Sequence, residues 1–251
     1  MQNNTEARIG QANKTTIWFI VGFIVLVTAV VIIAGAYSSG TPSNNASSTF
    51  VATTAPAITA ADWSEGNPNA SVSLVEYGDF ECPACGEYYP LVEQLVQNYS
   101  STVRFVFRNY PLYTIHPFAG VSAQAAEAAG LEGGSAKYWA MNGLLYSKQS
   151  EWSTNTALTP AQVTSQYLDG YAQSIGLNVD TFNTDLNASS VMSKIQNDVA
   201  GGTAAQLDHT PTFFVNLKQI PNPTTLSDFE ATLNAALASS SLPTAPSSTA
   251  Q

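Results

Sequence analysis

Residues 72–85 read VSLVEYGDFECPAC, and how this stretch is read decides the fold. Val72 to Phe80 is rich in Val, Tyr and Phe, which predicts a short buried strand. Beyond it Tyr88, Leu91, Val92, Leu95, Val96 and Tyr99 recur at helical spacing, and Val103 to Phe107 (VRFVF) predicts a second strand. Cys82-Pro83-Ala84-Cys85 therefore stands at the junction between a strand and the helix that follows it.

In a 251-residue chain, two cysteines fall with two residues between them in roughly one arrangement in a hundred. At a helix start the unpaired N–H groups and the helix dipole favour negative charge, so Cys82 is expected to be a thiol of lowered pKa and the nucleophile. Cys85, one turn further on the same face, is placed to resolve a mixed disulfide or close an internal one. Pro83 and Ala84 are candidate modulators that bring no charge. A metal half-site or a pair of inert core thiols is the plainer alternative, but two thiolates alone cannot complete a tetrahedral zinc site. No metal is expected, and no cofactor beyond a redox-active Cys82–Cys85 disulfide.

Outward from the motif, the pattern stays helical from Phe118 to about Leu207. It holds an alanine-rich run, a run with Trp139, Leu144 and Leu145, and a start signal at Thr159-Pro160. Asp180 is expected to cap the next helix, and Val191, Ile195 and Val199 mark another. Strand signal returns at Thr212–Asn216 (TFFVN), and Leu226, Phe229, Leu233 and Leu237 predict a final amphipathic helix. The expected class is α/β, with a large helical insertion at about 118–207.

Toward the N-terminus, residues 17–37 (IWFIVGFIVLVTAVVIIAGAY) carry no charge and suffice for one transmembrane helix. A cleaved signal peptide is the alternative, but its apolar core is ordinarily shorter. Arg8 and Lys14 precede the run and no Lys or Arg follows before Arg104, which predicts residues 1–16 in the cytoplasm and all else outside. Residues 38–60 read as an uncharged flexible tether, 61–238 as the folded domain and 239–251 as a disordered tail. Eight Lys and Arg against 18 Asp and Glu give a net charge of −10, which excludes a nucleic-acid partner.

The segment GNPNASVSLVEYGDFECPACGEYYP (66–90), followed after the helical insert by HTPTFFVN (209–216), resembles the DsbA-like thiol:disulfide oxidoreductases of the thioredoxin superfamily. The resemblance covers about Asp62 to Leu237. It implies a thioredoxin-like fold, a cis Thr210–Pro211 bond with Pro211 against the active-site pair, and Thr210 offering its backbone to an extended substrate. It also implies that Glu76 is a buried acid relaying the proton of Cys85; a strand-end glutamate reaching solvent is the alternative. His209 stands where the family commonly has a small residue and is expected near the thiols, although an ordinary loop histidine fits equally. Leu217 stands where a glycine turn often follows the strand, and His116 is expected to anchor the first insert helix. The implied function is a membrane-tethered, extracytoplasmic dithiol oxidase for unfolded or exported proteins, reoxidised by a quinone-linked membrane partner. A reductase or isomerase on the same fold, and a non-catalytic chaperone or binding module, are the competing readings.

Overall fold

A computed structural model gives the fold, and it describes residues 53–240. The expectations for residues 1–16, for the transmembrane run 17–37, for most of the tether and for residues 241–251 lie outside these. Among the described residues no helix is long and apolar enough to cross a membrane.

Among the described residues, five strands form one sheet in the order β1-β3-β2-β4-β5. β2 (Val72–Gly78) and β3 (Val103–Asn109) pair in parallel, joined by α1 (Pro83–Tyr99) as the period change predicts. β4 (Thr212–Val215) runs antiparallel to β2. Because side chains alternate across a strand, Leu74, Phe105, Phe213 and Val215 face α1 and the terminal helix, meeting Leu95, Phe229 and Leu233. Val75, Tyr77, Val106 and Phe214 line the opposite face. Glu76 belongs to the first face, paired in register with Phe107 and Phe213.

The helical insertion lies between β3 and β4. α2 (Ala119–Ser147) breaks at Gly134, whose φ of 71° is the left-handed region that glycine enters without penalty. α3 (Gln149–Trp152), α4 (Pro160–Val163), a π-turn (Thr164–Leu168), α5 (Asp169–Ser174), α6 (Val179–Asp185) and α7 (Ser189–Ala204) follow. Thr159 closes a capping box with Gln162 ahead of Pro160, as its sequence signals. The cap of α6 is Asn178, which accepts the Thr181 N–H, and Asp180 sits in the first turn instead. An amide oxygen two residues earlier reaches the free N–H that Asp180 was expected to take.

Three further departures have a common cause. β1 (Trp63–Gly66) pairs antiparallel with β3, and β5 (Lys218–Gln219) with β4, although neither shows an apolar alternation. Residues 53–60, expected within the tether, pack on the domain. Ala55 is buried and donates to the Leu217 carbonyl at 2.8 Å, and Gln219 donates to the Thr53 carbonyl at 2.9 Å. Backbone hydrogen bonds hold these edges, and such bonds leave no mark on composition. The terminal helix α8 (Leu226–Ser240) likewise takes in Ser239 and Ser240, expected in the tail.

The same strip completes a buried ion pair. Arg108, on β3, forks onto Asp62 at 2.8 and 3.0 Å and donates to the carbonyls of Pro56 and Ala57. A buried guanidinium is tolerable where each donor finds an acceptor, and residues 56–62 supply them. Asn216 and Leu217 turn from β4 into β5 with φ of 49° and 65°. The glycine-like position is thus a true left-handed one, and Leu217 is held there by Ala55 and by packing against the Tyr77–Phe214 cluster.

Candidate active site

β2 ends at Gly78, and Asp79-Phe80-Glu81 carry the chain to Cys82, the N-cap of α1. Cys82 has extended backbone angles, φ −66° and ψ 120°, and makes no side-chain capping bond. Pro83 at the first helical position has no N–H, so the first backbone donors that meet the sulfur are those of Ala84 and Cys85. The Cys82 thiol is 7% exposed and donates to the Thr210 carbonyl at 3.5 Å. Cys85 is fully buried, and its sulfur accepts the Asp79 N–H at 3.5 Å. Both are free thiols.

Their surroundings divide the pair. The Cys85 thiol donating to the Cys82 sulfur brings the latter's pKa down to about 5, against the opposing effect of burial. The Thr210 hydroxyl and the N–H groups of Cys85 and Ala84 add to the lowering. That hydroxyl is buried with no other partner among the described residues, which leaves its proton for a thiolate. For Cys85, burial pushes the thiol well above its ordinary range, reinforced by its bond to Cys82 and by the charge of Glu76. Near neutral pH the first sulfur is a thiolate and the second a thiol.

Glu76 lies beneath α1, buried, and burial with the nearby Cys82 charge raises its pKa to about 8. Among the described residues no cation compensates it, and its register partners on β3 and β4 are Phe107 and Phe213. The Thr210–Pro211 bond is cis, Pro211 is buried, and the Pro211 carbonyl accepts from Asn222. His209 pairs with the residue before it in the chain. Its ring is half exposed and bonds Asp208 at 2.6 Å, and among the described residues it makes no hydrogen bond to either sulfur. His116 bonds Asp79 at 2.7 Å just ahead of α2, an anchoring position.

Two contributors had no sequence signal. Asp79 gathers the N–H groups of Glu81 and Leu112 together with His116, tying the loop before Cys82 to the loop after β3. Gln149, on α3, donates through Nε2 to the carbonyls of both Phe80 and Cys82 at 2.8 Å. Its carboxamide occupies the space over Gly86, where a Cβ would fall 2.5 Å from Oε1. The insertion thereby holds the backbone of the nucleophile, and the lack of a Cβ at Gly86 leaves room for the approach.

The Glu76 shift carries a stability prediction with a definite sign. Its folded pKa, about 8, exceeds the ordinary 4.5, so the unfolded chain ionises first. Burial costs nothing below pH 4.5, and the cost grows until about pH 8. Glu76→Gln should therefore leave the reduced domain's stability unchanged at pH 4 and raise it at pH 7 by on the order of 1–3 kcal/mol. Urea unfolding at the two pH values checks this; an equal effect at both would mean that the carboxyl is not held neutral.

The thioredoxin family pattern matches residues 59–235. Among curated proteins, the Na(+)/H(+) antiporter NhaA 1 of Salinispora arenicola is 41% identical over 155 residues, covering 62% of this chain and 22% of the antiporter. NhaA 3 of Salinispora tropica is 36% identical over 181 residues, covering 72% and 26%. The chain thus spans about a quarter of the length of these relatives. Among solved structures, oxidised BdbD from Bacillus subtilis aligns with a TM-score of 0.64 at 23% identity, covering 74% of this chain and 97% of that one. Alpha-DsbA1 of Wolbachia pipientis aligns at 0.62 and 18% identity, covering 73% and 94%. Both likenesses are of fold: a thioredoxin-like sheet with a helical insertion. By the match over residues 59–235, the chain belongs to the thioredoxin family.

Proposed function

We propose that the chain is a thiol:disulfide oxidoreductase that works as a dithiol oxidase on unfolded or exported proteins. The observation that carries this reading is the division of the pair into a thiolate-forming Cys82 beside Thr210 and a sheltered, neutral Cys85. In the oxidised form a substrate thiolate attacks Cys82 Sγ, the Cys82–Cys85 bond breaks, and Cys85 leaves as a thiolate that takes a proton from Glu76. A second substrate thiolate then attacks the substrate sulfur of the mixed disulfide. The substrate disulfide forms, and Cys82 departs as the stabilised thiolate. Two electrons pass from substrate to the pair, and a disulfide-bearing or quinone-linked partner must remove them; by family analogy that partner is a quinone-linked membrane oxidase.

Direction follows from which form is stabilised. A Cys82 pKa of about 5 stabilises the dithiol form at neutral pH, and this makes the disulfide oxidising. Equilibration with glutathione should give a potential above about −200 mV, and Cys82→Ser should abolish oxidation of a reduced substrate protein. A potential below about −250 mV would reverse the electron flow and make the chain a reductase. A wild-type chain that oxidises the substrate no faster than Cys82→Ser would leave only a binding module.

We further propose that residues 17–37 tether the domain outside the cytoplasmic membrane, with residues 1–16 inside. The uncharged run and the position of Arg8 and Lys14 support this, as does the presence of matching stretches in relatives named as antiporters. Protease added to spheroplasts should cut the chain from the membrane; complete protection would overturn the topology.

A further inference from the structure

Gln149 is the first residue of α3, and its backbone is seated on the end of α2. The Lys148 N–H donates to the Leu144 carbonyl at 3.0 Å, and the fully buried Trp152 donates through Nε1 to the Leu145 carbonyl at 3.0 Å. From that seat Gln149 Nε2 reaches the carbonyls of Phe80 and Cys82. The Cys82 carbonyl also accepts the Gly86 N–H at 3.1 Å, the first hydrogen bond of α1. Rotation about ψ of Cys82 would turn its carbonyl away from both donors, so the two bonds together fix that angle at 120°. The angle directs the side chain relative to the helix that follows, and with it the sulfur toward the N–H groups of Ala84 and Cys85.

Gly86 supplies an independent observation. It lies inside α1, where alanine is the better helix former. The three atoms nearest to where its Cβ would fall are Oε1, Cδ and Nε2 of Gln149, at 2.5, 3.0 and 3.2 Å. The glycine weakens the helix locally and admits the carboxamide. We propose that Gln149 is a positioning residue of the exchange pair: its carboxamide holds the Cys82 backbone so that the sulfur stays at the N–H groups of Ala84 and Cys85, and the insertion thereby sets the thiolate population and the redox potential. The inference rests on reading Cys82–Cys85 as a thiol–disulfide exchange pair. Gln149 carries no charge, so its removal acts on Cys82 through geometry. The thiolate then loses stabilisation, the dithiol form loses it too, and the disulfide becomes less oxidising.

The test is a double-mutant cycle on the full chain, with Gln149→Ala, Gly86→Ala and both together, read by the Cys82 titration and by equilibration with glutathione. Loss of the carboxamide, at roughly the worth of one hydrogen bond, should lower the thiolate-to-thiol ratio of Cys82 about tenfold at a given pH. It should move the exchange equilibrium about tenfold toward the disulfide, a fall in potential of about 30 mV. Gly86→Ala displaces the carboxamide and should produce the same two shifts. In the Gln149→Ala background the space is free, so Gly86→Ala should add no further shift and should raise the urea midpoint. Gln149→Glu keeps the shape but turns oxygens toward the two carbonyls, and it should not restore the wild-type titration. Variants that lose stability while titration and potential stay at wild-type values would make Gln149 a packing residue and overturn the proposal. Additive shifts in the double variant, or a wild-type titration in Gln149→Glu, would overturn it as well. A wild type that does not exchange with glutathione would refute the exchange reading, and the titration would still decide whether Gln149 positions the sulfur. Should Gln149→Ala fail to fold, Gly86→Ala decides alone.

Discussion

The hydrogen bond from the Cys85 thiol to the Cys82 sulfur, backed by the Thr210 hydroxyl and by the N–H groups of Cys85 and Ala84 at the start of α1, determines where negative charge settles in this site. Everything around Cys82 serves to keep its sulfur at that spot. The extended N-cap backbone turns the side chain toward the helix end, and Pro83 begins the helix without adding a competing donor. Gln149 and Asp79 fix the approach from either side, one by clamping the carbonyls of Phe80 and Cys82, the other by gathering the loop's N–H groups. The site is assembled by the insertion as much as by the sheet.

The same geometry separates the roles of two chemically identical side chains. One turn further along, Cys85 has passed the free N–H groups and entered the core, where burial and Glu76 oppose its ionisation. A negative charge on Cys82 makes a second one on Cys85 or Glu76 harder to form, and each of those groups holds its proton more firmly as a result. The pair and the glutamate therefore share protons as one coupled system.

Much of this was legible in the sequence where a residue's environment follows from local pattern. The period change from strand to helix located Cys82 at a helix start, whereas the burial of Glu76 was implied only by the family resemblance. Thr159-Pro160 announced its helix for the same local reason. What was not legible depends on partners far apart in the chain. Gln149 lies 67 residues from Cys82, its hydrogen-bond partner, and nothing in QSEW marks it. His209 was placed by its neighbour Thr210, yet the adjacent Asp208 captures its ring. Residues 53–60 looked like linker because their contribution is made through backbone carbonyls and N–H groups, which every residue carries.

The division between the two sulfurs is the centre of the account, and site-resolved titration tests it most directly. With cysteine labelled at 13Cβ in the reduced domain, the Cβ shift of each residue reports its own ionisation. Cys82 should titrate with a midpoint near 5, and Cys85 should remain a thiol through its ordinary value of 9. Two midpoints that both fall in the ordinary thiol range near pH 8.5, or ionisation of Cys85 ahead of Cys82, would contradict it.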